Sequence, residues 1–305
     1  MLIVNTMCKL LTAILTGFYA NKKGFLRTDA TKSLSSLIIR IASPCLIITS
    51  LSSVGDVDHQ EIYLVLLIGF AIYTLTPLLS FAFSKLWRIP DGSSGTYQAM
   101  LIFSNCGFMA IPVCQSFFGD SSVFLLSMMN LPYNLLFYTY GKYLLSKDGN
   151  RGSSFHPQEL INPGTIASLL AITMYFTGIR LPEFLSESVE FLGAVTTPLS
   201  MVCIGSSMAD YSLKEVLHEK TLYWISICRL ILYPAVTYLV LSAFIQDIRL
   251  VQIATIVMGM PVGSMVVMGA AEFQGNMKAA SGGVALTTLL SIVTIPVMAV
   301  VMGIS

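Results

Sequence analysis

Apolar residues in this chain come in long blocks, with polar residues gathered between the blocks. A helix needs about 20 mostly apolar residues to cross the hydrocarbon layer of a bilayer. Marking the polar breaks predicts ten spans, at roughly 2–20, 33–53, 61–86, 94–118, 120–146, 163–180, 188–209, 220–244, 249–272 and 280–303. One connection, Ser146–Asn162, is longer than a tight turn. Its Lys147, Asp148, Gly149, Asn150, Arg151 and Gly152 mark it as a polar linker at the midpoint. The pattern divides the chain into a five-helix unit over 1–146, a linker over 147–162 and a second five-helix unit over 163–305. Span 1 has no basic segment before it and no small-residue cleavage site after it, so it reads as a retained membrane helix.

Composition narrows the function classes. Of 305 residues, 55% are hydrophobic and 11% charged, where a soluble domain carries about 25% charged residues. A net charge of +1 gives no basic footprint for nucleic acid. The six cysteines (Cys8, Cys45, Cys106, Cys114, Cys203 and Cys228) lie in apolar runs without metal-binding or disulfide-framework spacing. His59, His156 and His218 are far apart in the sequence. With no nucleophile–base pair and no Walker A segment, neither an enzyme nor a cofactor is expected.

The few charges also give an orientation. Loops after odd-numbered spans hold twelve of the 17 basic residues, namely Lys22, Lys23, Arg27, Lys32, Lys85, Arg88, Lys142, Lys147, Arg151, Lys214, Lys220 and Lys278. Loops after even-numbered spans hold two, Arg180 and Arg249. Cytoplasmic loops carry the excess of Lys and Arg. The expectation is a multi-pass protein of the cell membrane with both termini extracytoplasmic. Lys9, Arg40 and Arg229 remain inside spans.

The two halves repeat. At an offset of 154, Pro44, Ser52, Ser53 and Asp56 of span 2 coincide with Pro198, Ser206, Ser207 and Asp210 of span 7. Pro77 of span 3 aligns with Pro234 of span 8, and Gly119-Asp120 with Gly275-Asn276. An odd number of helices per half forces opposite membrane orientations, as in the inverted repeats of secondary transporters, which bind at the midplane where discontinuous helices meet. Span 4 contains Asn105-Cys106-Gly107-Phe108-Met109-Ala110-Ile111-Pro112, and span 9 contains Met260-Pro261-Val262-Gly263-Ser264. Proline cannot donate a backbone hydrogen bond and clashes with the carbonyl four residues back. Glycine adds backbone freedom. The alignment sets Asn105 opposite Pro261, so the two breaks are equivalent. Half-helix N-termini exposed there would attract an anion.

At these residues the chain resembles the auxin efflux carrier family, whose plant members are the PIN proteins. Similar segments are Asn105 to Pro112, Met260-Pro261-Val262-Gly263, Asn162-Pro163, Asn134, Arg229 to Pro234, and Ala280 to Ser291. Ala110 stands where glycine is usual, Ser104 stands where plant members place a crossover proline, and the long cytoplasmic loop of many plant members is absent. The resemblance implies an all-α integral membrane protein of ten transmembrane helices, a 5+5 inverted repeat with crossed, broken helices 4 and 9. It also implies transport of a small organic anion, auxin-like or a dicarboxylate, by a homodimer. In that arrangement spans 1, 2, 6 and 7 form a scaffold, and spans 3–5 and 8–10 a moving unit.

Ionisable residues inside a span are functional candidates. Arg40 is the expected counter-charge for a carboxylate; Arg229 and Lys9 are also open to a structural role. Ser127, Asn130, Asn134 and Tyr138 form a polar face on span 5. The expected substrate site is thus Asn105, Gly107, Pro112, Pro261, Val262, Gly263, Asn130, Asn134 and Arg40, with no metal. Coupling to H⁺ or Na⁺ is open. No acidic residue lies deep in a span, so no strong proton path is written, while sodium could use carbonyls and hydroxyls at the crossover. Two rivals stand beside this reading. One is a sodium-coupled carrier of the bile-acid type. The other is a membrane sensor that binds the anion without moving it.

Overall fold

A computed structural model describes residues 2–51, 59–89, 91–149, 161–209 and 219–304. The described residues are helical apart from short connections and one pair of antiparallel backbone contacts, Ser104 with Val262. In chain order the helices are α1 (Leu2–Lys22), α2 (Thr28–Thr49), α3 (His59–Leu86), α4 (Asp91–Ile102), α5 (Cys106–Phe118) and α6 (Ser121–Leu136). The rod of α6 continues through Phe137–Gly141 and Lys142–Asp148. Then follow α7 (Pro163–Thr177), α8 (Glu183–Ala209), α9 (Lys220–Phe244), α10 (Ile248–Met258), α11 (Ser264–Phe273) and α12 (Met277–Val301).

Five of these, α2, α3, α8, α9 and α12, are long and apolar enough to cross a membrane by themselves, and α5, α7, α10 and α11 are shorter apolar helices. The chain is a multi-pass integral membrane protein. Helix ends reach past some of the expected spans. The helix at α8 begins at Glu183 rather than 188, because its first turn carries Glu183, Ser186 and Glu187. Those residues suit a helix but not lipid, so an apolarity criterion cuts them off. Ser52, Ser53, Asp56, His156, His218, Lys214, Asp210, Arg151 and most of the 147–162 linker lie outside the described residues.

Prolines shape several rods. Pro44, Pro112 and Pro234 each sit just after a five-residue widened, π-type turn, at Ile38–Ala42, Cys106–Ala110 and Cys228–Leu232. In each, a backbone N–H reaches five residues back: Ser43 to Ile38, Ala110 to Asn105 and Tyr233 to Cys228. The wider turn moves the carbonyl four residues before the proline away from its ring, so the helix continues past a residue that would otherwise break it.

Packing follows one scheme in both halves. α1 packs on α8 as α7 packs on α2; α3 on α4 as α9 on α10; α3 on α6 as α9 on α12; α5 on α6 as α11 on α12; and α6 on α7 as α12 on α1. The α1–α8 crossing brings two backbones into contact. A Cβ on Gly17 would lie 2.0 Å from the Val202 carbonyl oxygen, and one on Gly205 would lie 1.8 Å from that of Ile14. Small residues let the two backbones touch, which is how helices associate where no hydrophobic force separates them from lipid. Asn21 Nδ2 of α1 bonds Ser206 Oγ of α8 at 3.2 Å, and Thr31 Oγ1 ties α2 to the same hydroxyl at 2.6 Å.

Candidate functional site

The chain opens between α4 and α5 and again between α10 and α11, and the two openings cross. Each break frees peptide groups at membrane depth, where an unsatisfied one costs several kcal/mol. They satisfy one another. Asn105 N donates to Pro261 O at 2.8 Å, and Gly263 N donates to Phe103 O at 2.9 Å. Val262 N donates to Thr287 Oγ1 of α12 at 3.0 Å, and that hydroxyl donates in turn to Gly283 O at 2.6 Å. Gly263 is required by the approach itself, since a Cβ there would lie 2.8 Å from Ser104 O and 3.1 Å from its carbonyl carbon.

Two further carbonyls at the crossing are held by Arg229. Its Nη1 donates to Leu101 O at 2.9 Å and its Nε to Met260 O at 3.1 Å. The residue is 0% exposed, its Nη2 has no hydrogen-bond partner among the described residues, and its guanidinium lies 5.8 Å from the Tyr233 ring centre. These carbonyls stand where α4 and α10 end, and helix C-termini carry partial negative charge. A buried cation is stabilised there without a carboxylate.

On the other side of the crossing lies a cavity of about 160 Å³. An apolar cavity of about 150 Å³ holds a benzene ring, so this one has room for a small organic molecule. Three helix N-termini meet at it. Asn105 precedes α5, Gly263 precedes α11, and Asn162 precedes α7; all three residues line the cavity. Asn105 Oδ1 accepts from Phe108 N at 3.2 Å, and Asn162 Oδ1 accepts from Thr165 N at 3.0 Å, whereas Gly263 supplies no side-chain cap. Each N-terminus carries about half a positive charge. Asn105 is 5% exposed and lines the cavity, with its oxygen turned to the helix.

The wall opposite is amide and apolar. Asn134 Nδ2 donates to Thr165 Oγ1 at 3.3 Å, tying α6 to the start of α7. Asn130 Oδ1 and Asn162 Nδ2 are buried without a hydrogen-bond partner among the described residues, and both residues line the cavity. Ile38, Ile47, Phe108, Ile111, Met265 and Met268 form the apolar surface. No charged side chain of the described residues lines the cavity.

The expected site residues fall into three groups. Asn105, Gly107, Gly263, Asn130 and Asn134 line the cavity together. Pro112, Pro261 and Val262 are buried in the framework that builds the crossing and do not line it. Arg40 is exposed on the widened turn of α2, while its neighbours Ile38 and Ile39 face the cavity. The charge at the crossing is that of Arg229. Sequence reasoning missed Asn162 as a lining residue, although Asn-Pro is a strong helix-start signal and so announced a third N-terminus.

Apolar helices packed around two crossing breaks, with a ligand-sized, mostly apolar cavity beside them, define a membrane protein with its chemistry at the core. The comparisons give its family. The membrane transport protein family model matches residues 2–299. The chain belongs to that family, the auxin efflux carriers that spans 4 and 9 resemble. It is similar to an uncharacterized transporter of Methanocaldococcus jannaschii, 24% identical over 295 residues covering 93% of this chain and 94% of the relative. It is also similar to an uncharacterized transporter of Methanothermobacter thermautotrophicus, 22% identical over 300 residues covering 97% of each.

Proposed function

We propose that this membrane transport protein is a secondary carrier for a small organic anion, an auxin-like acid or a dicarboxylate, working across the cell membrane by an elevator-type movement. The observation that carries the reading is the meeting of three helix N-termini at a cavity without charged side chains. Aligned N–H groups stabilise an anion by about 0.3–1 kcal/mol at an exposed helix end and by more where water is excluded. The Asn105 amide is placed to donate to the carboxylate, Gly107 brings backbone to the lumen without a side chain, and the Ile, Phe and Met surface takes the apolar body. Asn130 and Asn162 supply an acceptor and a donor for a polar group at the far end.

The exchange-related packing of α1–α6 and α7–α12 supports a ten-span, inverted-repeat reading. In it α1, α2, α7 and α8 form the scaffold, and the crossing travels with α3–α6 and α9–α12. In this reading the cavity would lie on the seam between these groups, since α2 and the start of α7 line one side, Ile38, Ile47, Asn162 and Ser168 among them, and the two breaks with α5, α6 and α11 line the other. A sliding unit would carry the anion past a fixed wall. The reading places both termini outside and pairs the scaffold with a second copy.

The test is uptake of labelled dicarboxylates and aromatic acids into proteoliposomes. Losing a hydrogen bond to a charged group costs about 1.5–3 kcal/mol, so Asn105→Ala should lower transport by roughly ten- to a hundredfold. Unchanged uptake of every transported acid by Asn105→Ala and by Gly107→Val would refute the site. Binding without uptake or counterflow would point to a sensor.

A further inference from the structure

In carriers built from discontinuous helices, unwound carbonyls and half-helix C-termini are the ligands of a coupling cation. This protein has the corresponding carbonyls, Leu101 O in the last turn of α4 and Met260 O just after α10, and both accept from one guanidinium. We infer that Arg229 is a permanent, built-in cation of the crossover, occupying the oxygen cage that a sodium ion would need, and that the protein binds and works without Na⁺. The inference rests on the carrier reading above.

Four observations support it. Arg229 is fully buried, and its hydrogen bonds go to carbonyls of the two breaks, so its charge is set against the helix ends. Arginine does not lose its proton in a protein, which makes the charge independent of pH and of ion gradients. Neighbouring oxygens at the crossing are engaged as well: Pro261 O and Phe103 O accept peptide N–H groups, and Thr287 Oγ1 both accepts from Val262 N and donates to Gly283 O. Finally, Nη2 has no acceptor among the described residues, so the oxygens around the guanidinium already fall short of its own donors.

Arg229 is then a positioning residue: it holds the two breaks together from their C-terminal side and leaves the N-terminal side for the anion. The closing experiment measures the melting temperature of the purified full-length protein, which does not depend on knowing the substrate. In equal concentrations of NaCl, KCl and choline chloride the wild type should melt at the same temperature, and a saturable upward shift specific to Na⁺ would overturn the proposal. Arg229→Ala should melt about 5 °C lower or more. Millimolar methylguanidinium should recover part of that loss, the neutral isostere N-methylurea none, and neither should move the wild type. An Arg229→Ala protein as stable as wild type, or one rescued equally by the neutral isostere or by neither compound, also overturns it. If Arg229→Ala does not fold, Arg229→Lys replaces it. It should melt below wild type and stay indifferent to Na⁺, and a Na⁺-dependent lysine variant refutes the proposal. Failure of acid uptake in proteoliposomes with these ion results intact would count against the carrier reading alone.

Discussion

The Asn105 carboxamide divides its work between its two ends. Oδ1 accepts from Phe108 N and caps α5, and the residue lines the cavity. The two roles separate by substitution. Asn105→Asp keeps an acceptor for the cap, and a carboxylate at a helix N-terminus is favourable by about 0.3–1 kcal/mol. It also sets a negative charge where the anion is expected. Asn105→Asp should therefore melt at or above the wild-type temperature while losing uptake of acids at least as completely as Asn105→Ala. A variant that both melts normally and transports acids at the wild-type rate would show that this amide does not face the substrate. Arg40 and Arg229 show what the sequence could not tell at this scale. Both lie about two turns into an apolar span and look alike as letters. One ends exposed and the other fully buried, because the difference is made by carbonyls far away in sequence, at Leu101 and Met260.

At the scale of elements, the prolines and glycines near the breaks divide by what surrounds them. Pro112 and Pro234 are accommodated inside continuing helices by a widened turn, whereas Pro261 lies in a true opening between α10 and α11. The sequence shows all three as prolines in apolar runs. It pointed to the right segments because Asn105 of span 4 and Pro261 of span 9 sit at matched positions in the halves. It could not say which proline bends a helix and which ends one, since that depends on the partner strand that accepts the freed peptide groups. Gly107 and Gly263 divide in the same way. A Cβ at Gly107 meets nothing within 4 Å, and one at Gly263 runs into the Ser104 peptide. Gly107→Ala should fold with an unchanged melting temperature and shift uptake toward smaller acids, read as a change in relative rates across an acid series. Gly263→Ala should lower the melting temperature and abolish uptake of all of them. Equal behaviour of the two variants would mean that the crossing is not built as described.

At the scale of the whole molecule, two kinds of contact hold the chain together. The α1–α8 crossing is backbone on backbone, fixed by Gly17 and Gly205. Across the proposed seam, by contrast, α5 meets α8 through a side-chain bond, Thr197 Oγ1 to Gln115 Oε1 at 2.8 Å. In a cysteine-free background, Gln115→Cys with Thr197→Cys, joined by a short thiol crosslinker, should stop uptake until reductant is added. The pair Asn21→Cys with Ser206→Cys, within the α1–α8 unit, should be joined without effect. Uptake that survives the first bridge would rule out a sliding movement along this seam. The membrane class and the two broken segments were legible because lipid imposes a simple length rule on apolar runs. The cavity's second wall was not, because Asn162, Ile38 and Ser168 come from helices that carry no break, and only packing brings them to the crossing.

The crossing of Ser104 with Val262 has one more consequence. The walls nearest the proposed anion are peptide groups, and peptide groups are the same in every protein. A lineage can exchange most of its side chains and keep the place where the charge is held, provided the two openings and their close-fitting glycine survive. Selectivity then becomes a separate matter, adjustable at Asn130, Asn162 or Met265 without rebuilding the frame. Such a design lets one scaffold diversify its cargo through a handful of substitutions, while the groups that hold the charge stay where they are.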